Sequence, residues 1–365
     1  METQHKYLMN TWYVAALSTE VEGEALFKRT LLETPVVIYR KADGTPVALY
    51  DRCPHRFVPL SMGKRDGDAV VCPYHGLTFD CSGKCTRNPH GNQKIPAAAQ
   101  VKSYPLLERH GFIWIWMGDQ PADESALPDF GTLDIGHDNG IAHTYMKWPC
   151  YYELITDNVM DLSHVDHVHG EIITTRGQLS PMIPKLEENN GQVAVQWNWS
   201  QTPPMLIFND FLAEPGVEAR HFVRVTWSAP TNLQLTIGAT QDDNAPLDYE
   251  HTVGQYDLHA CTPEDADNTH YFFATRRNHI EEDADFNKMK IEAMHGAFAN
   301  EDGPILTEVH KNMGTTDFFA LCPVLISSDL GPVRVRRLLQ QMIDAEQKAK
   351  AEKAEAKTPA LAPAH

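Results

Sequence analysis

The stretch CPHRFVPLSMGKRDGDAVVCPYHGL, residues 53–77, carries two cysteines and two histidines in two short clips, Cys53-x-His55 and Cys72-x2-His75. A lone Cys or His is usually a packing residue, but four ligand types in two tight clips point to one metal centre. Zinc modules pair like with like, Cys-x2-Cys and then His-x3-5-His. Here each clip supplies one thiolate and one imidazole. A [2Fe–2S] centre with two thiolates on one iron and two imidazoles on the other suits that mixture, because two mixed loops can serve both irons.

Working outward, the clips sit on loops stiffened by Pro54 and Pro73, among short β-rich runs: VVIYR, PVALYD, AVVCPY and FIWIWMG. Turn signals such as KADGTP and KRDGDA separate these runs. A boundary is expected in GDQPADESALPDFGTLD. Beyond it, YELITDNVMDLSHVDHVH has apolar residues at helical spacing, and the strand-like runs QVAVQWNW, HFVRVTW, LQLTIGAT and HYFFAT follow. Three helical segments close the chain: DFNKMKIEAMHGAFA, PILTEVHKNM and VRVRRLLQQMIDAEQKAKAEKAEAK. The reading is a small β domain (1–125), a larger α+β domain (126–345) and a disordered tail (346–365).

The 365 residues carry 49 acidic and 31 basic side chains, a formal charge of −18. That balance disfavours nucleic acid, whose phosphates call for a basic surface. No run of 18 apolar residues suggests a membrane span, and the N-terminal segment does not resemble a signal peptide. Seven cysteines without export signals predict a reducing, cytoplasmic setting. Cys81 and Cys85, in FDCSGKC, fall outside the clips and read as free thiols around a Ser-Gly-Lys turn.

An iron–sulfur cluster moves single electrons and cannot itself insert oxygen. The second half offers DNVMDLSHVDHVH, residues 157–169. Oxygen activation by non-haem iron takes two His and one carboxylate, leaving positions open. His164, His167 and His169 compete. Helix geometry favours His164 with His167, whereas His164 and His169 stand about 140° apart on an ideal helix and need a break between them. The residues alone leave the choice open. The carboxylate must come from elsewhere, from Asp302, Glu301 or Asp317, although Asp302 before Gly-Pro also reads as a helix N-cap. Asp161, one turn before His164, is placed to bond that ligand's other ring nitrogen, and Asp157 reads as a solvated helix residue.

The strings C-P-H-R and C-P-Y-H-G-L resemble the signature of Rieske non-haem iron oxygenases, and D-N-x-M-D-L-x-H-x4-H resembles the vanillate and dicamba O-demethylase branch. NTWYVAAL, RNPHGN, ERHGFIWIWMGD, LPDFG and HYFFATRRN extend the likeness along nearly the whole chain. The resemblance implies an N-terminal all-β Rieske [2Fe–2S] domain, then an α+β catalytic domain with an antiparallel sheet and helices in a helix-grip, START-like arrangement. It assigns Cys53 and Cys72 to the buried iron of the cluster and His55 and His75 to the outer one. It selects His164, His169 and Asp302 as ligands of a mononuclear iron(II), leaves His167 in a surface or supporting role, and brings Asn158 near the metal. It makes Asp161 an electron bridge between subunits of a homotrimer and puts His259 against the substrate.

The implied activity is that of a terminal oxygenase, supplied with NADH electrons by a separate reductase, with or without a ferredoxin, since no Gly-rich dinucleotide fingerprint is evident. With O2 it would hydroxylate an O-methyl or N-alkyl carbon of an aromatic substrate. Ring hydroxylation or aryl-methyl hydroxylation is the alternative within the family. A Rieske electron carrier, or a zinc module, would lack the second iron.

Overall fold

The computed structural model describes residues 6–170 and 173–357. Eleven short strands build the first domain. β1 (Trp12–Leu17) pairs with β11 (Phe112–Trp116), which continues into β10 (Leu106–Arg109). A second sheet orders β2 (Phe27–Leu31), β3 (Thr34–Arg40), β4 (Pro46–Tyr50) and β9 (Ser103–Tyr104). The third holds β5 (Lys64–Asp66), β6 (Ala69–Val71), β7 (Thr78–Phe79) and β8 (Cys85–Arg87). This third sheet and the segment after β4 carry the two clips. Asp80, which accepts from the Ser82 and Lys84 amides, builds the turn between the free thiols Cys81 and Cys85.

The second domain is a seven-stranded antiparallel sheet in the order β12, β18, β17, β16, β15, β14, β13. Its strands are β12 (Ile141–Trp148), β13 (Lys185–Asn189), β14 (Gln192–Thr202), β15 (Ala219–Ser228), β16 (Asn232–Thr240), β17 (Val253–Pro263) and β18 (Thr269–Arg277). Six helices accompany it: α1 (Tyr152–Met160), α2 (Val165–Val168), α3 (Leu206–Asn209), α4 (Ala284–Ala297), α5 (Gly303–Met313) and α6 (Leu330–Lys357).

Side-chain alternation on β17 decides what meets what. Tyr256, Leu258 and Ala260 join Trp12, Val14, Phe112 and Trp114 of the first domain in one buried cluster. Gln255, Asp257 and His259 therefore point the opposite way, into the second domain. Apolar packing between the domains is reinforced by main-chain bonds, Leu32 N to Pro263 O at 2.8 Å and Glu33 N to Glu264 O at 2.7 Å.

The tail differs from expectation. Residues 346–357 continue α6, and the Glu346 carboxylate accepts from the Met9 and Asn10 amides at 2.8 and 2.7 Å. This run of Ala, Glu, Lys and Gln is strongly helix-forming, in keeping with the helical segment VRVRRLLQQMIDAEQKAKAEKAEAK, and its anchor lies 337 residues away. Residues 358–365 of that tail lie outside the described residues.

Candidate metal centres and active-site cavity

The two clips fold alike. The Cys53 amide donates to Val58 O at 2.9 Å, and the Cys72 amide to Leu77 O at 2.8 Å. Each loop then closes one turn tighter, Phe57 N to Cys53 O and Gly76 N to Cys72 O. Both reversals use left-handed backbone, φ 64° at Phe57 and φ 70° at Gly76. Glycine adopts this at no steric cost, whereas Phe57 is held by the Arg52 guanidinium 4.2 Å over its ring.

The loops bury both thiols and leave the imidazoles at the rim, with the His55 and His75 rings 4.5 Å apart. Burial and the neighbouring Cys72 push the Cys53 thiol up to about 11, against the pull of the His55 and Arg56 amides toward thiolate. His75 Nδ1 is buried without a hydrogen-bond partner, and His90 bonds the His75 carbonyl at 2.7 Å. Two inward thiols opposite two rim imidazoles, one with an orphaned buried nitrogen, fit a [2Fe–2S] cluster ligated by both loops.

In the second domain, α1 ends at Met160 and Asp161 leaves the helix at φ −121°, ψ 88°. Its carboxylate caps the single turn Leu162–His164, accepting from Ser163 N at 3.0 Å and Ser163 Oγ at 2.6 Å. After α2 the chain is extended at His169. This break resolves the angular conflict of an unbroken helix, and the His164 and His169 rings come within 5.3 Å. Asp302 ends a π-helical turn, Phe298–Asp302, and is 2% exposed. Its Oδ1 lies 3.5 Å from His164 Nε2 and its Oδ2 3.5 Å from His169 Nε2. One donor atom from each of the three residues falls within 4.8 Å of the others. Burial raises the Asp302 carboxyl pKa and lowers that of His164. Two imidazoles facing one buried carboxylate are the donor set of a facial 2-His-1-carboxylate iron site.

The surroundings sort the other candidates. Asn158 Nδ2 donates to Asp302 Oδ1 at 3.2 Å. His167 turns away to Ser180 Oγ at 2.9 Å. Asp317 is exposed and caps the Ala320 amide. Asp302 caps no helix with its side chain, so the N-cap reading falls away.

Three expectations are corrected. The Asp161 main-chain carbonyl, and not its carboxylate, meets His164 Nδ1, at 2.5 Å, because the side chain is engaged by Ser163. Glu301, weighed only as a rival ligand, meets His169 Nδ1 at 2.6 Å and so orients that ring. Asp157 is not solvated: it accepts from the buried Arg336 of α6, together with Glu153.

Comparison with known proteins decides the family. Residues 11–105 match the Rieske [2Fe-2S] domain, and residues 148–345 match the vanillate O-demethylase oxygenase C-terminal domain. The chain is a Rieske non-haem iron oxygenase component. It falls in the vanillate and dicamba O-demethylase-like branch. The oxygenase is 33% identical to the chloroacetanilide N-alkylformylase oxygenase component of Rhizorhabdus wittichii (strain DC-6), over 93% of this chain and 97% of the relative. It is 32% identical to the dicamba O-demethylase oxygenase component of Stenotrophomonas maltophilia, over 92% and 98%. The crystal structure of dicamba monooxygenase bound to dicamba superposes with a TM-score of 0.85 at 31% identity, covering 94% of this chain and 99% of that one. Among the described residues no helix is long and apolar enough to cross a membrane.

The oxygenase's three-residue site opens on a cavity of about 700 Å3, its mouth included. Apolar side chains such as Val159, Leu235, Ile237 and Phe298 form most of the wall. His259, expected against the substrate, lines it with Nε2 buried and unpartnered, and burial lowers its pKa to about 3. Gln255 and Asp257 line it too and escaped the sequence reading. Sharing a strand face with His259 was the available signal, but the first half of β17 was not read as a strand.

Proposed function

We propose that the oxygenase hydroxylates an aromatic substrate at an O-methyl or N-alkyl carbon and so removes the alkyl group. The carrying observation is the cluster of His164, His169 and Asp302 at the end of an otherwise mostly apolar cavity. In this reading Cys53, His55, Cys72 and His75 hold the cluster, and His164, His169 and Asp302 hold the iron. When bound, the iron supplies the oxygen-activating redox chemistry, with electrons arriving from the cluster.

The chain's own contribution is positioning. Glu301 and the Asp161 carbonyl fix the two imidazole rings, and Asn158 holds Asp302 from behind. The apolar wall excludes water and presents the alkyl carbon to the three-residue face, while His259 contacts the polar end of the substrate. One O2, NADH and a proton are consumed. The substrate gains one oxygen atom at carbon and the other leaves as water. The resulting hemiacetal or hemiaminal then collapses to an aldehyde and the dealkylated product.

The electrons come from a partner NADH-dependent reductase, directly or through a ferredoxin. Relatives named as oxygenase components of dealkylating systems support this reading. The working unit is a homotrimer in which the Asp161 carboxylate links one subunit's iron site to the His75 side of the next. The test is a panel of methoxybenzoates and N-alkyl anilides with a surrogate reductase, scored for aldehyde. Holoprotein should contain about three irons and two sulfides per chain. Hydroxylated products that keep their alkyl group would reject dealkylation, and a preparation holding two irons per chain would indicate a carrier.

A further inference from the structure

The cavity has one polar wall, and its polarity is arranged. Gln255, Asp257 and His259 alternate along β17, each at most 3% exposed, all facing the cavity. Gln255 Nε2 donates to Asp257 Oδ2 at 2.6 Å, which leaves Gln255 Oε1 and Asp257 Oδ1 as buried acceptors with no hydrogen-bond partner. Burial raises the Asp257 carboxyl to about 6, against the opposing pull of Lys290 and of Thr275, which stands opposite it on β18 with a hydroxyl that makes no hydrogen bond within 3.5 Å.

Two residues on, His259 Nδ1 meets the Tyr271 hydroxyl at 2.6 Å. That phenol is fully buried and keeps its proton, so it donates to Nδ1 and leaves the imidazole N–H on Nε2. The strand therefore presents two acceptors followed by one donor. Buried polar atoms of this kind cost free energy unless a partner arrives.

No Lys or Arg lines this cavity among the described residues. Lys290 of α4 lines the adjoining cavity, where its charge favours the Asp257 anion. A carboxylate substrate would have to enter beside Asp257 without a cation of its own.

We propose that Gln255 and Asp257 are specificity-determining residues that select a neutral aromatic amide, its N–H donating to the acceptor pair and its carbonyl accepting from His259 Nε2. This rests on the dealkylating reading above and deepens it by naming the substrate class. The acceptors discriminate in both directions: an ester loses the N–H, and an acid adds a charge of the sign already present. A site built around buried hydrogen-bonding groups rejects analogues that cannot satisfy them.

The test is calorimetric titration of holoenzyme with a matched trio: 4-methoxy-N-methylbenzamide, methyl 4-methoxybenzoate and 4-methoxybenzoate. The amide is expected to bind roughly 10- to 100-fold more tightly than the ester, the scale of one hydrogen bond to a charged group, with the acid weakest. Asp257→Asn should bring the acid to within about threefold of the amide by removing the opposing charge. Should that variant not fold, Gln255→Met removes the other acceptor and should lower amide affinity with little change for the ester.

Equal binding of acid and amide to the wild type would overturn the proposal, whether the acid sits at His259 or reaches Lys290. So would an Asp257→Asn variant that keeps the wild-type order. Aldehyde measured on the same compounds separates the two readings. Amide-selective binding without aldehyde would remove dealkylation and leave the recognition intact. Aldehyde from the acid in preference to the amide would remove the recognition alone.

Discussion

At the scale of single residues, Glu301 is the most informative side chain near the iron site. Its carboxylate bonds His169 Nδ1 from the residue just before Asp302, so one turn of chain supplies both a ligand and the orienting group of another. Removing the orienting charge while keeping size, Glu301→Gln, should weaken iron retention about 10- to 100-fold. Iron content after dialysis against a chelator would show this, with the visible spectrum of the cluster unchanged. Loss of the cluster signal as well would mean general unfolding instead. Asp161→Asn should leave both metals bound and the Ser163 cap largely intact, yet abolish most NADH-coupled turnover; turnover near wild type would remove its bridging role. The Rieske domain was legible because the two clips pack Cys and His into a few positions. His169 was not legible from geometry alone, since the choice depended on the chain leaving α2 for extended backbone at His169, a break that an ideal helix does not contain. Glu301's role depends on a partner 132 residues away.

At the scale of elements, α6 is tied to α1 by one buried guanidinium. Arg336, 5% exposed, bonds Asp157 at 2.7 Å and Glu153 at 2.6 Å, directly behind the helix that leads into the iron site. Burial pushes Glu153 up to about 6 and raises Asp157 as well, with Arg336 opposing both shifts. Arg336→Met would leave two carboxylates uncompensated and should cost roughly 3 kcal/mol at pH 7.5. Both folded-state pKa values are raised, so the folded protein binds more protons than the unfolded chain, and stability falls as pH rises through the window from the unfolded carboxylate range to the folded values. The variant should therefore recover part of its loss between pH 7.5 and 5. A thermal midpoint deficit that stays constant over that range would argue against buried charge as the cause. Sequence reading of these elements succeeded where periodicity was strong, as in α5, and failed at β17. That strand is buried on both faces, with polar residues toward the cavity and apolar ones toward the first domain. The alternation that marks a half-exposed strand is therefore inverted in meaning there.

At the scale of the whole molecule, the two metal sites need a route between them. The hydrogen bonds and ring contacts of the cluster loops described here stay within the first domain, and none reaches α1 or α2 of the same chain. Beside the exposed His55 and its neighbour His75, meanwhile, Phe57 and Tyr74 are each more than 60% exposed, an apolar rim of the kind that a neighbouring surface covers. If the proposed trimer carries electrons only from one chain's cluster to the next chain's iron, damage to the two halves should complement. A cluster-deficient chain, Cys72→Ala, and an iron-deficient chain, Asp302→Ala, should each be inactive alone. Co-expressed with distinct tags and purified as mixed assemblies, they should regain about a third of wild-type turnover, since every mixed three-membered ring has one donor–acceptor contact in three with both partners intact. Inactive mixed assemblies, in which the Asp302→Ala chains keep their cluster and the Cys72→Ala chains keep their mononuclear iron, would instead confine electron transfer to a single chain.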